Sequence, residues 1–120
     1  MAPAAVPRRN VAGMAETDAT VDVTDNAEQD RYEIRLDGEL AGFAQYTRRG
    51  GRTLFTHTEI DPAFGGHGLG SRLAAGALDA ERAAGTPVVP ICPFIRSYID
   101  RHPAYVDLVD QELLARIDGD

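Results

Sequence analysis

The stretch IDPAFGGHGLGSRL, residues 60–73, joins an alternating apolar segment to a run with helical periodicity. Unpaired backbone N–H groups and the positive end of the helix dipole meet at such a junction, which therefore suits a phosphate or pyrophosphate. Glycines let a phosphate approach the main chain because no Cβ intervenes. The residues predicted to form this phosphate-binding loop are Gly65, Gly66, His67, Gly68, Leu69, Gly70 and Ser71.

Other glycine-rich phosphate loops fit this stretch poorly. The loop of nucleoside triphosphatases needs a lysine after its last glycine, where this chain has Ser71. A dinucleotide-binding fingerprint needs a buried parallel strand before the loop and an acidic residue about twenty residues later, and neither fits here. A flexible loop without a ligand is the remaining alternative, but four glycines between residues 65 and 70 would be costly in entropy.

Upstream of the loop, apolar and polar residues alternate with the period of two that half-buried strands show. Asp37-Gly38 supplies a tight hairpin turn, Arg48 to Gly51 forms a second turn, and Gly42 suggests a bulge. Three antiparallel strands in succession would form a meander. The strands are predicted over residues 31–36, 40–46 and 53–60.

Downstream, the sequence predicts alternating helices and strands. The first helix runs from Leu69 to Ala84 and ends at Gly85, because a glycine caps a helix readily. An apolar strand covers Val88 to Cys92, and a second helix begins at Pro93. That helix should end near His102, a final short strand should cover residues 105–109, and a short helix should follow. The fold class is thus α+β, an antiparallel meander followed by a β-α-β-α unit.

The chain length is that of one domain, predicted over residues 29–112. Residues 1–28 are rich in Ala, Pro, Thr and Asp and should be mostly disordered, although Val21 and Val23 alternate with acids as a short edge strand would. Residues 113–120 should form a tail or a short helix.

The net charge, the apolar content and the cysteine count limit the partners and the cellular compartment that we expect for this chain. The net charge of −7 argues against nucleic-acid binding and mildly favours a cationic partner such as an amine. No apolar stretch approaches the roughly 18 residues of a membrane helix, and the N-terminus is a poor secretory signal. The single cysteine, Cys92, excludes an internal disulfide and a multi-cysteine metal site. We expect a cytoplasmic protein without a metal.

The stretch at residues 60–73 resembles motif A of the GNAT acetyltransferase superfamily, with one departure at Gly65, where Arg or Gln is usual. Further motifs resemble the YjdJ-like branch of minimal acetyltransferases. The resemblance implies that acetyl-CoA lies between two parallel strands that splay apart, with its pantetheine arm paired to main chain from Thr58 to Ile60. It also implies that Cys92, Pro93 and Phe94 lie near the cofactor. The further motifs are Arg31-Tyr32-Glu33, Gly42-Phe43, His57-Thr58-Glu59, Cys92-Pro93-Phe94 and His102-Pro103-x-Tyr105.

Two residues on the third predicted strand are candidate bases. His57 and Glu59 lie two apart, so both should point to the same face, together with Phe55. Either could deprotonate an acceptor amine, directly or through water. The alternative is a buried polar pair that only fixes the strand.

Cys92 and Tyr98 are candidates for the transfer step. A thiol at a helix N-terminus can have its pKa lowered by the dipole, so Cys92 could take the acetyl group covalently or donate a proton to the departing CoA thiolate. A small apolar filler is the alternative. The resemblance implies a proton donor at Tyr98, but its spacing with Phe94 and Ile95 equally suits core packing.

Three functions are compatible with these residues. The first is an acetyl-CoA-dependent N-acetyltransferase acting on a small amine, a polyamine or a peptide or protein amino group. The second is a CoA-binding sensor or regulatory module without efficient catalysis, and the third is a phosphate-binding interaction domain. Larger superfamily members build the acceptor site from two helices after the first strand, and the turn between Leu36 and Leu40 leaves no room for them. The acceptor groove should therefore be shallow and open, while the sequence selects neither the acceptor nor the oligomeric state.

Overall fold

The computed structural model describes residues 20–65 and 68–119 of the chain. One five-stranded sheet carries three α-helices, so the predicted α+β class is confirmed. Short 3₁₀ turns occupy Ala27–Gln29, Pro62–Phe64 and Pro103–Leu108. The strands are β1 (Val21–Asn26), β2 (Arg31–Leu36), β3 (Glu39–Arg49), β4 (Arg52–Ile60) and β5 (Val88–Pro90), and the helices are α1 (Leu69–Ala84), α2 (Pro93–Arg101) and α3 (Gln111–Gly119).

The strands lie in the order in which they occur in the sequence, β1-β2-β3-β4-β5. All neighbours are antiparallel except β4 and β5, which are parallel as a crossover through α1 requires. Asp37 and Gly38 have φ of +52° and +85°, the left-handed backbone that a two-residue hairpin turn needs. The predicted meander is therefore present, with one further strand before it.

That further strand, β1, is the short edge strand that the alternation of Val21 and Val23 indicated, and residues 20–28 are therefore not disordered. It pairs with β2 along its whole length, from Val21 opposite Leu36 to Asn26 opposite Arg31. Val21 and Val23 are half-buried against the core, and Val23 packs closely on Gly76 of α1. The ordering follows because an edge strand gains a full ladder of backbone hydrogen bonds together with apolar burial. Residues 1–19 lie outside the described residues.

The C-terminal segment differs from the strand predicted over residues 105–109. Pro103–Leu108 forms a 3₁₀ turn, and Val109 alone makes a parallel bridge with Val88. The difference arises because proline at the first position pre-sets helical backbone angles, which then bury Leu108. The predicted C-terminal helix is confirmed as α3, where the Asp110 carboxylate accepts a hydrogen bond from the Leu113 N–H at 3.0 Å.

The core lies between α1 and one face of the sheet. The helix runs across β1 to β4 and buries the residues that its 3.6-residue period places on one side. On the opposite face of the sheet, Thr24, Gln45 and His57 are exposed. The side chains that face each other in the core include Leu73, Ala74, Ala77 and Leu78 of α1 and Tyr32, Ile34, Ala44, Tyr46 and Phe55 of the sheet.

A buried carboxylate fixes α1 to three strands. Glu81 is 1% exposed, and its oxygens accept hydrogen bonds from Tyr32 Oη at 2.5 Å, Thr53 Oγ1 at 2.8 Å and Arg48 Nη2 at 2.9 Å. Burial, followed by the hydrogen bond to Glu81, raises the pKa of Tyr32 well above its usual range. These donors come from β2, β4 and β3, so one side chain sets the position of the helix on the sheet.

We expect Glu81→Leu to lower the free energy of unfolding by about 3 kcal/mol, because the hydroxyl groups of Tyr32 and Thr53 lose their acceptor inside the core. Urea unfolding monitored by circular dichroism measures this change. The matched control is Asp107→Asn, which breaks an exposed ion pair with Arg82 and should leave the midpoint nearly unchanged. Equal midpoints for both variants would contradict the structural role of Glu81.

Candidate functional site

The site begins with one extra residue in β4. In the β3–β4 pairing, Gln45 lies opposite His57 and Tyr46 opposite Phe55, so Thr56 is a β-bulge. A bulge interrupts the alternation of side chains, which exchanges the two faces beyond it. The prediction that His57 shares a face with Phe55 is therefore wrong, because Phe55 is fully buried whereas His57 is exposed.

Beyond the bulge, β4 and β5 separate. The parallel pairing covers only Thr53 to Phe55, although β4 continues beside β3 to Ile60. The Phe55 carbonyl ends this edge by accepting hydrogen bonds from the N–H groups of Ile91 and Cys92, at 3.0 and 2.8 Å. The strand predicted over residues 88–92 is thus shorter, because Pro90 has no N–H and the chain turns towards α2 after it.

The free edge of β4 presents main-chain polar groups to this gap. The Asp61 N–H donates to the Ala41 carbonyl of β3 at 2.8 Å. Because N–H and C=O groups alternate between the two edges of an antiparallel strand, those of Thr58 and Ile60 point away from β3, towards the gap. Among residues 20–65 and 68–119, no backbone partner occupies that position. An extended ligand could therefore pair with the main chain of Thr58 and Ile60 without displacing a backbone hydrogen bond of the described residues.

Thr58 and Cys92 meet across the gap. The bulge turns the Thr58 side chain inward, and its Oγ1 lies 3.3 Å from Sγ of Cys92. Cys92 is 3% exposed and is the residue immediately before α2, as its position before Pro93 predicts. The two groups can share a proton through this contact, with either as donor.

The N-terminus of α1 lies at the end of the glycine loop. Gly68 adopts a left-handed φ of +65°, and no side chain of a described residue caps the helix there. No side chain of the described residues thus competes for the first N–H groups of α1, which are the groups that bind anions at a helix N-terminus. Gly65 ends the preceding 3₁₀ turn, with its N–H bonded to the Pro62 carbonyl at 3.1 Å. Gly66 and His67 lie outside the described residues, so their part in the phosphate-binding loop stays a prediction from the sequence.

The remaining loop residues divide between packing and exposure. Leu69 is buried in the core and Ser71 is exposed. A Cβ at Gly70 would lie 2.8 Å from the Phe94 ring, so this glycine permits the close packing of α1 on the start of α2. Pro93 is exposed, and Phe94 is 36% exposed beside the gap.

His57 and Glu59 form a pair on the exposed sheet face. Their Nε2 and Oε2 atoms are 3.1 Å apart, with side chains 53% and 64% exposed. The alternative of a buried polar pair is therefore wrong. Both groups are open to a solvent-borne molecule while they sit on the strand that borders the gap.

Tyr98 lies in a separate aromatic cluster. It is 6% exposed, stacks on His102 with ring centroids 4.0 Å apart, and lies 6.0 Å from the Tyr105 ring. The His102 Nδ1 bonds the Tyr98 carbonyl at 2.8 Å. Tyr98 follows Cys92 by six positions, about 9 Å along the helix. These contacts favour the packing role, and no recorded contact of Tyr98 reaches Cys92, His57 or Glu59.

A groove of about 600 Å³, which the sequence did not indicate, lies where β3 begins and β4 ends. Two separate segments build it, so no single motif carries a signal for it. Gly42 is essential to its shape, because a Cβ there would collide with the Glu59 carbonyl oxygen. The bulge in β3 falls at the neighbouring Ala41, close to where Gly42 suggested it. The groove is lined by Leu40, Ala41, Gly42, Phe43, Glu59, Ile60, Asp61 and Pro62.

The described part of the chain has neither a cluster of metal ligands nor a helix that could span a membrane. No group of three or more His, Cys, Asp or Glu side chains is arranged there to hold a metal ion. The helices of the same residues are too short or too polar to cross a bilayer.

Comparison with known proteins bears on the same segment. A family model described as GCN5-related N-acetyl-transferase matches residues 31–108, from the start of β2 to the end of the last 3₁₀ turn. A search of curated proteins found no match. The matched span contains the bulge, the gap, the glycine loop and the groove.

We expect Gly42→Ala to destabilise the fold by about 2 kcal/mol, because the new methyl group must push β3 away from the Glu59 carbonyl. The thermal midpoint measures this change, and amide hydrogen exchange at Asp61 should accelerate, because its N–H group is bonded to the Ala41 carbonyl of β3. The control is Gln45→Ala, an exposed position on the same strand. A midpoint for Gly42→Ala equal to that of the control would refute the close approach of the strands.

Proposed function

Because the chain belongs to the GCN5-related N-acetyltransferase family, we propose that it transfers the acetyl group of acetyl-CoA to an amine. One observation carries the proposal. The edge of β4 at Thr58 and Ile60 faces a gap that opens next to the uncapped N-terminus of α1. An extended chain ending in a pyrophosphate matches both features, since one needs main-chain partners and the other a negative charge.

The residues fit the cofactor in two places. The main chain of Thr58 and Ile60 would hold the pantetheine arm, and the N–H groups that follow Gly68 would hold the pyrophosphate. When bound, acetyl-CoA supplies an acetyl group activated as a thioester. The absence of an Arg or Gln side chain at Gly65 leaves pyrophosphate binding to backbone groups and the helix dipole.

Cys92 is the proposed proton donor to the departing thiolate. Its thiol lies at the gap, 3.3 Å from Thr58 Oγ1, so the hydroxyl can accept from the S–H group or donate to the sulfur. Burial to 3% exposure favours this role over a covalent acetyl carrier, because an acetylated sulfur would have to be open to the acceptor. Tyr98 is proposed to support α2 through its ring stacking with His102.

His57 and Glu59 are the proposed base. The acceptor amine must lose a proton to attack a carbonyl carbon, and a solvent-exposed imidazole–carboxylate pair can accept it. The two side chains are 53% and 64% exposed, so an acceptor can approach them from solvent. The connection from β1 to β2 is the 3₁₀ turn Ala27–Gln29 and Asp30, which is also too short for the two acceptor-binding helices of larger family members.

A CoA-binding sensor without efficient catalysis is the second candidate. The position of Tyr98 favours it, because the usual proton donor on this helix is engaged in an aromatic stack. The sensor requires the gap and the glycine loop but not His57, Glu59 or Cys92. The two functions are therefore separated by whether the unmodified chain, which binds CoA in both cases, also turns over acetyl-CoA.

Isothermal titration of the purified chain tests cofactor binding. We expect micromolar affinity for acetyl-CoA and CoA and at least tenfold weaker binding of ATP, because ATP lacks the pantetheine arm that pairs with β4. The variant Gly68→Ala should weaken CoA binding, since its φ of +65° is unfavourable for a side chain. Equal affinities for ATP and CoA would support a general phosphate-binding domain instead.

Steady-state kinetics with a detectable amine test the catalytic roles. We expect a combined His57→Gln and Glu59→Gln variant to lose roughly 100-fold in kcat, and Cys92→Ala a similar factor, with acetyl-CoA affinity retained. Cys92→Ser should recover part of the loss because a hydroxyl can still donate a proton. Mass spectrometry after incubation with acetyl-CoA should show no acetyl group on Cys92. Full activity in all three variants would reject the roles of His57, Glu59 and Cys92, whereas CoA binding without turnover in the unmodified chain would favour the sensor.

A further inference from the structure

We propose that the groove where β3 begins and β4 ends binds the acceptor, and that the acceptor is a small primary amine attached to an apolar group. This inference rests on the proposed function and adds the chemical class of the substrate. The groove holds about 600 Å³, within the range of pockets that take small molecules. Glu59 lines it and also contacts His57, so the groove is continuous with the proposed base.

The walls of the groove favour an apolar ligand. Leu40 is one of few large apolar side chains of the described residues with more than a third of its surface exposed, at 39%. Phe43, Ile60 and Pro62 line the same groove. A hydrocarbon chain or ring placed there would remove these surfaces from water, which is favourable in proportion to the area covered.

The charges at the groove favour a cation. Two carboxylates line it, Glu59 and Asp61, and neither has an arginine within ion-pair distance in the described residues. Asp61 uses one oxygen to accept a hydrogen bond from the Ala63 N–H at 2.9 Å. An ammonium group between these carboxylates would therefore find negative charge that no arginine of the described residues has neutralised.

The neighbouring carboxylate on the same sheet face shows the contrast. Glu33 lies opposite Phe43 in the sheet and accepts hydrogen bonds from Asn26, Arg31 and Arg35. Burial raises the pKa of Glu33, but the bonds from Asn26 and Arg31 outweigh it and hold this pKa below its usual range. The Arg31 guanidinium, 4.8 Å from the Phe43 ring centre, is thereby already paired. Glu33 thus differs from Glu59 and Asp61, which have no arginine partner among the described residues.

The apolar walls and the two carboxylates of the groove should give different classes of acceptor different affinities. An amine with an apolar body places its ammonium at Glu59, next to His57, and its body along Phe43 and Leu40. A polyamine offers the charge but little apolar surface, and an uncharged alcohol offers the surface without the charge. Each of these should bind more weakly than the apolar amine.

Titration of the chain in the absence of acetyl-CoA tests this assignment independently of turnover. We expect n-hexylamine to bind at least roughly tenfold more tightly than either 1-hexanol or ethylamine, and spermidine to bind no better than ethylamine. The amide resonances of Leu40, Phe43, Glu59 and Asp61 should shift on addition of hexylamine. Equal binding of hexylamine and hexanol, or shifts confined to other residues, would overturn the proposal.

Matched variants separate charge from contact area. Asp61→Asn keeps the hydrogen bond to Ala63 and should weaken hexylamine several-fold while leaving hexanol unchanged. Leu40→Ser should weaken both ligands. The control is Asp22→Asn, the same change of charge at an exposed position on β1, which should alter neither. If Asp22→Asn weakens hexylamine as much as Asp61→Asn does, the effect is one of net charge and the groove is not the site.

The outcome can be separated from that of the proposed function. Normal acetyl-CoA binding without hexylamine binding would reject the groove as the acceptor site and leave the family activity in place. Loss of acetyl-CoA binding in the titration described above would reject the transferase itself.

Discussion

The β-bulge at Thr56 is the feature on which the rest of the site depends. Without it, the Thr58 side chain would share the exposed face and His57 would turn into the core, as a regular strand requires. With it, three groups of β4 are distributed to three places. The hydroxyl of Thr58 meets the Cys92 thiol, the His57–Glu59 pair meets solvent, and the main chain meets the gap. A single extra residue thus places the side chains on the two faces of one strand, and its free edge, in three different environments.

The gap itself follows from where backbone hydrogen bonding stops. Pro90 cannot donate, and the Phe55 carbonyl takes the N–H groups of both Ile91 and Cys92, so the parallel ladder ends within three residues. The loss of pairing beyond this point leaves polar main-chain groups that a ligand can satisfy. In the proposed function, the interrupted sheet thus supplies the backbone groups that hold the cofactor, and the side chains at its border orient it.

Much of the fold could be predicted from the sequence, and the reason lies in local signals. The limits of α1 follow from Gly85 and Pro87, the hairpin from Asp37-Gly38, and the start of α2 from Pro93. Features that depend on pairing between distant segments could not be read in this way. The strand β1 becomes ordered because β2 lies beside it, and Val109 forms only a bridge because Pro103 first imposes a 3₁₀ turn. At the site, Thr58, Ile60 and Cys92 follow from their motifs, whereas the bulge reverses the face of His57, and the groove needs two strands at once.

Helix α1 is held at both ends, by the Glu81 carboxylate on three strands and by the contact of Gly70 with the Phe94 ring. Its N-terminal amides are therefore oriented before any anion arrives. The entropy of fixing them is lost once, when the chain folds, rather than at each encounter with a ligand. An open, shallow protein of this size can in this way bind through a short backbone surface, because the surface is preorganised.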